Sequence, residues 1–262
     1  MEMIWTQEAE KAVAKVPFFV RSRVRREVEK EASEQDSSLV LLKHVQDCRK
    51  KHLSGNAIET KGFQIDTCFG SGGCENRTLE SEALAAEVEK MLLSRNLADF
   101  LKERVGGPLK MHHEFRICIA DCPNGCSRPQ IVDIGIIGAL RPRVLDNSCT
   151  GCAACSSSCI EGALRVQPGF DAPIIDGTKC IMCGKCISAC PSGAIEEAQK
   201  GWRMMVGGKL GRHPQLGKDL GRIHSKSEVL AIIARCLDIY FANNAGGERL
   251  GSILNRIGYD LI

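Results

Sequence analysis

The chain has 262 residues, a formal net charge of +3, and 44% hydrophobic against 26% charged residues. That is ordinary for a folded protein with room for one large or two modest domains, and so small a charge argues against nucleic-acid binding by bulk electrostatics. No run approaches the roughly 18 apolar residues of a membrane span, and the acidic start, Met1 to Glu10, lacks the basic and then apolar pattern of a secretion signal, so a cytoplasmic protein is expected. The anomaly is cysteine, with 15 residues. An odd count without an export signal argues against a disulfide framework and for thiolates that hold metal.

Thr6 is a fitting N-cap for a helix over residues 7–15, which Pro17 should stop. A second helix carries Val20, Val24, Val28 and Ala32 on one face and Arg21, Arg23, Arg25 and Arg26 on the other. The basic face reads as solvated surface or as a dock for an acidic partner or anionic cofactor. Residues 31–38 are polar and read as a linker. Cys48 follows in a polar helix, with no partner at metal spacing. Residues 79–104 have a helical period through Leu84, Val88, Met91 and Leu92, and the β-branched run Ile131–Ile137 predicts a buried strand.

Residues 143–200 contain an internal repeat. Cys149, Cys152, Cys155 and Cys159 recur at Cys180, Cys183, Cys186 and Cys190, each shifted by 31, and Gly162-Ala163-Leu164 is echoed by Gly193-Ala194-Ile195. So short a repeat cannot build an apolar core, so metal is expected to hold it together. Beyond it lie Trp202 and an irregular glycine-rich loop, Gly207 to Pro214. A capping box, Ser225 to Glu228, then opens a helix with the stripe Val229, Ile232, Ile233, Cys236, Leu237 and Tyr240. Cys236 is expected to pack there as a small hydrophobe.

The repeated C-x2-C-x2-C-x3-C run differs from the paired spacing that zinc favours. It resembles a bacterial two-cluster ferredoxin over about 50 residues, in which the fourth cysteine of each run crosses to the other cluster. The resemblance implies one 4Fe–4S cluster on Cys149, Cys152, Cys155 and Cys190, and another on Cys180, Cys183, Cys186 and Cys159. Ile160 stands where a proline often follows the run. A second constellation has Cys68 and Cys74 as C-x5-C among glycines, and Cys122 and Cys126 as C-x3-C around Pro123 and Gly125. Four thiolates on two loops suffice for one further cluster. Cys118, four residues before Cys122, is a fifth candidate ligand, though on an extended segment it reads better as a buried neighbour.

This pairing, with Cys122–Pro129, Asp133–Gly138 and Gly207–Pro214, resembles the sirohaem and 4Fe–4S domain of sulfite and nitrite reductases, above all anaerobic and dissimilatory sulfite reductase subunits. The resemblance implies a third cluster on Cys68, Cys74, Cys122 and Cys126, with Cys126 bridging to sirohaem iron. It also implies a sulfite or nitrite substrate and a redox partner or second subunit in an oligomer. Trp5-Thr6, Val16–Arg21 and Arg25–Glu29 resemble the C-terminal helical module of a light-independent protochlorophyllide reductase subunit. The expected fold is α+β: a helical arm over residues 1–45, a reductase-like half-domain over 60–142 and 201–262, and a two-cluster ferredoxin insert over 143–200.

Arginine forks suit a polycarboxylate such as sirohaem and an anionic substrate. Arg77, Lys209 and Arg212 are therefore candidate cofactor clamps, and His112, His113, Arg116 and Arg128 candidate catalytic groups, the imidazoles as proton donors. Residues 36–62 are too short for the half-domain that precedes the C-x5-C loop in complete reductases. A haem-free electron-transfer subunit is thus the alternative.

Overall fold

The computed structural model describes residues 3–14, 16, 18–35, 37–54, 60–107, 109–145, 148–166 and 172–262, with the side chains of residues 18–20, 22, 23 and 50–54 outside that description. The expectations for Lys15 and Pro17, and for the side chains of Val20 and Arg23, fall outside it. Among the described residues no helix is long and apolar enough to cross a membrane. The chain divides into two compact units, Met1–Glu59 and Thr60–Ile262.

In the first unit, β1 (Ile4–Trp5) lies parallel to β2 (Leu39–Val40), and α1 (Gln7–Ala14), α2 (Phe18–Glu34) and α3 (Leu42–Ser54) pack together. The small core contains Ala9, Val28, Ala32, Val40 and Cys48. Two of the arginines on α2 serve this unit itself. Arg25 forks onto Glu10 at 2.8 and 2.6 Å and lies 4.3 Å over the Trp5 ring, while Arg21 Nη2 donates to the Ala14 and Val16 carbonyls, both at 2.9 Å. The latter satisfies acceptors that a helix end leaves open. Residues 31–38 are not a simple linker: α2 continues to Glu34, because Glu31 and Ala32 are buried.

In the second unit the sheet order is β3 (Phe63–Thr67), β4 (Phe115–Ala120), β5 (Ile134–Val144), β8 (Ile195–Val206) and β9 (Lys218–His224), counting in chain order β6 (Leu164–Arg165) and β7 (Ile174–Ile175), which pair separately. The first three strands are parallel and the last three antiparallel. Alternation explains the main core, which is distinct from a smaller cluster of Cys155, Leu164, Cys186 and Ile195 in the repeat. Phe115, Ile117 and Ile119, Ile134 and Ile136, and Trp202, Met204 and Val206 share one cluster with the apolar faces of α4 (Glu82–Ser94), α5 (Leu97–Val105), α8 (Lys226–Asn243) and α9 (Leu250–Ile257). The helical period over 79–104 is two helices, broken where Asn96 takes a left-handed φ of 48°. The expected strand starts later, at Ile134, because Pro129–Ile131 form a single 3-10 turn. The capping box is present at Ser225 and Glu228, and Cys236 is buried in the stripe behind it.

The cysteine repeat leaves and rejoins the sheet between β5 and β8, whose ladder reaches Val144 opposite Ile195. It contains two five-residue helices, α6 (Ala154–Ser158) and α7 (Lys185–Ala189). The sequence period recurs in the backbone. Positive φ angles occur at Gly151 and Met182 (70° and 60°), Ala153 and Gly184 (57° and 75°), and Gly162 and Gly193 (60° and 69°).

His224 ends β9 opposite Trp202; it is 1% exposed, and neither ring nitrogen has a hydrogen-bond partner among the described residues. Burial, then Arg222, holds its pKa below the usual histidine range, against the raising pull of Glu228 and Asp219. The unfolded chain therefore takes up the proton more readily, so this contribution to stability is complete above about pH 6.5 and is lost as pH falls below it. Thermal melts from about pH 8 down to about pH 5 should show a falling midpoint, flattened in His224→Leu. An equal slope in the variant would rule out His224 as the cause.

Candidate cluster-binding site

Two loops bring the first cysteine constellation together at the C-terminal ends of β3 and β4. Cys68 leaves β3 with its N–H donating to the Ile119 carbonyl at 3.1 Å, and a 3-10 turn over Phe69–Gly72 leads to Cys74. Cys122 leaves β4 into a tight turn in which Gly125 N donates to the Cys122 carbonyl at 3.2 Å, Gly125 having a φ of 61°. Burial raises the pKa of Cys122, and Cys68, Cys126 and Cys74 add to the rise as electrostatic neighbours, while a backbone hydrogen bond at Asn124 opposes it. Cys122 is buried, Cys68 half-buried, and Cys74 and Cys126 exposed. So close a set of thiols suits cationic iron, which removes the protons and compensates the negative charge.

The repeat forms two further groups by crossing over. Cys155 has Cys190 and Cys149 as neighbours, and Cys186 has Cys180, Cys183 and Cys159; burial is the leading cause that pushes both thiols up, Cys186 to about 11. Cys152 is exposed on the first loop. Among the described residues no three His, Cys, Asp or Glu side chains close on a single-ion site. The Cys180 group lies against the sheet domain. Leu140 N donates to the Met182 carbonyl at 2.7 Å, and Asn124 lines the same cleft as Cys159, Cys180, Cys183 and Cys186. Gly184 allows this approach, since a Cβ there would sit 2.4 Å from Leu140 Cδ2.

The other candidates are distributed unevenly. Arg77 Nε donates to Asp121 Oδ2 at 2.8 Å and its guanidinium also pairs with Glu82. Lys209 Nζ donates to Ser252 Oγ at 2.7 Å, so both of these cations have partners within the chain. Arg212 and Arg128 are exposed, the latter at a left-handed φ of 61° just after Cys126. The loop from Gly207 is drawn toward that turn, because Gly217 N donates to the Gln130 carbonyl at 2.7 Å and a Cβ on Gly208 would meet the same oxygen at 2.5 Å.

His112 and His113 stack edge-on at 4.1 Å, and His113 Nδ1 accepts from Lys110 N. They precede β4, whereas Cys122 follows it, a separation of roughly 20 Å along the strand. The structure thus does not bring the histidines to the cysteines. Arg116, near the same start of β4, donates from Nη2 to the Met111 carbonyl at 3.0 Å.

Sequence reasoning missed Asp121 and Asp133. Asp121, 1% exposed, precedes Cys122 and donates its N–H to Cys68 Sγ at 3.3 Å. Asp133, fully buried, accepts from Arg249 and from the backbone of Arg116 and Leu250. An acidic residue at the edge of an apolar run was the signal available in each case.

Residues 5–49 match the proto-chlorophyllide reductase 57 kD subunit family. The chain is 36% identical over 194 residues to the coenzyme F420-dependent sulfite reductase of Methanocaldococcus jannaschii, covering 73% of this chain and 28% of that protein. It is 28% identical over 103 residues to one of the subunits of the anaerobic sulfite reductase of Salmonella typhimurium, covering 39% of this chain and 26% of that one. The chain thus spans little more than a quarter of either relative. Among solved structures, dissimilatory sulfite reductase I superposes with a TM-score of 0.51 at 18% identity, over 74% of this chain and 49% of that one, a likeness of fold. Residues 60–262 match the nitrite and sulphite reductase 4Fe-4S domain, and with most of its length in that match the chain belongs to this iron–sulfur family.

Proposed function

We propose that this chain is a component of a sulfite or nitrite reductase. In this reading Cys68, Cys74, Cys122 and Cys126 hold one 4Fe–4S cluster, and the two crossed groups of the repeat hold two more in a ferredoxin-type insert. Cys126, the exposed last ligand of its turn, is the one to be shared with sirohaem, and Arg128 and Arg212 are the exposed cations left for its carboxylates or for the anion. When bound, these groups supply electron storage and an iron that takes the oxyanion.

The observation that carries the reading is the junction at β5. Gly138 packs against Asp121, where an added Cβ would lie 2.3 Å from the Asp121 carbonyl oxygen, and two residues on Leu140 grips Met182 and Gly184. One strand thus fixes both cysteine sites within roughly 7 Å of strand length. In this reading the Cys180, Cys183, Cys186 and Cys159 site is the inner relay and the Cys149, Cys152, Cys155 and Cys190 site the outer one. The remainder of a substrate pocket is assigned to a second reductase subunit or a redox partner protein, consistent with the greater length of the relatives.

The engagement of Arg77 by Asp121 and Glu82, and of Lys209 by Ser252, favours a second reading, a haem-free electron-transfer subunit. Anaerobically purified chain separates the two. The reductase reading expects about twelve irons per chain, tetrapyrrole absorption bands, and reoxidation of the reduced protein by sulfite or nitrite. Three clusters with no tetrapyrrole, even after incubation with sirohaem and the partner subunit, would establish the second.

A further inference from the structure

Asp121 is the point at which the loops of the first cysteine constellation meet. Its peptide bond joins it to Cys122, and its N–H donates to Cys68 Sγ at 3.3 Å. Its carbonyl oxygen accepts from Thr78 N and Leu79 N, both at 3.0 Å, which hangs the segment after Cys74 from the end of β4. Its carboxylate Oδ2 accepts from Arg77 Nε at 2.8 Å, and Arg77 N in turn donates to the Cys74 carbonyl at 3.2 Å. Gly70 closes the space above, since a Cβ there would be 2.0 Å from Oδ2. The other oxygen, Oδ1, is buried with no hydrogen-bond partner among the described residues.

This hydrogen bonding is more than a loop needs for shape. The backbone of Asp121 already ties the loops, so an asparagine would preserve that function and satisfy a buried position at lower electrostatic cost. The carboxylate adds charge. Arg77 is shared between Asp121 and Glu82, so two carboxylates on one guanidinium leave net negative charge beside the four thiols. Negative charge at short range opposes the arrival of an electron, and net charge and hydrogen bonds to sulfur are among the protein's means of setting a cluster potential.

We infer that Asp121, gripped by Arg77, is a positioning residue that sets the potential of the cluster held by Cys68, Cys74, Cys122 and Cys126, keeping it below the value the same ligands would give with a neutral residue. The inference rests on the reading that this quartet holds a cluster.

Redox titration of the cluster-loaded full chain, followed by electron paramagnetic resonance alongside iron analysis, tests it. Asp121→Asn is expected to raise the midpoint of this site by at least a tenfold change in its reduced-to-oxidised ratio at fixed ambient potential, ~59 mV for one electron, with the two repeat sites unmoved. Arg77→Gln, at a side chain 21% exposed, is expected to move the same site in the opposite direction. Unshifted midpoints in both variants at unchanged iron content would overturn the inference. Loss of the cluster in both would also overturn it, since the pair would then be purely structural. A wild-type chain with about eight irons instead of about twelve would overturn the cluster assignment on which it rests, a different failure.

Discussion

An Asp133→Ala chain is expected to lose ~3–5 kcal/mol of stability, the effect of breaking a buried ion pair by removing one partner. The Asp133 carboxylate accepts from Arg249 Nε at 3.0 Å and Nη2 at 2.5 Å, from Leu250 N at 3.1 Å and from Arg116 N at 2.9 Å. It therefore joins the start of α9, the start of β4 and the turn before β5. Burial works against the charge on Arg249, but Asp133 outweighs it and holds the guanidinium above its ordinary value. Alanine would strand that cation and two backbone donors together. Denaturant titration of the full chain measures the loss; a change below about 1 kcal/mol would show that the pair behaves as a solvated one. Replacing both partners with apolar residues should recover only the part due to the stranded guanidinium, because the N–H groups of Arg116 and Leu250 would still lack their acceptor.

Cys122→Ser is expected to remove about four irons per chain, leaving the other two sites filled, whereas Cys118→Ser should remove none. The contrast is one of environment. Cys122 faces three other cysteines, while Cys118, on the strand leading to it, places Sγ 3.8 Å from Asp66 Oδ2. Burial, reinforced by Asp66, pushes the Cys118 thiol up to about 12, and its sulfur is turned to that carboxylate rather than to the other cysteines. Iron and sulfide analysis with spectra of both variants is the check. Iron lost on substituting Cys118 but kept on substituting Cys122 would reassign the ligands.

The most legible part of the fold was the part held by local spacing. A cysteine period of 31 residues dictates equivalent loops, and the positive φ angles at 151 and 182, 153 and 184, and 162 and 193 follow the same step. Likewise the Ser225–Glu228 box marks the start of α8, because a cap is settled within one turn. What stayed hidden depends on distant partners. Asp133 and Arg249 are 116 residues apart, and nothing near Arg21 or Arg25 distinguishes an internal clasp from a solvated face. The two-residue strands β1 and β2 are too short to show alternation, and α9 is settled by its burial beneath the sheet. The candidate histidines misled for a similar reason: proximity in sequence to Cys122 conceals the strand that separates them.

The way the repeat is mounted has a consequence for how the chain can change. Its two ends, at Val144 and Ile195, are neighbours on one rung of the ladder, roughly 5 Å apart. Residues can therefore be gained or lost between 145 and 194 without disturbing the register from Ile134–Val206 to Arg141–Gln199. The gap between the Cys180 site and the sheet depends on both sides of the junction, on the contact of Gly138 with Asp121 and on that of Leu140 with Gly184. The length of the repeat and the register of the ladder that carries it can thus vary independently.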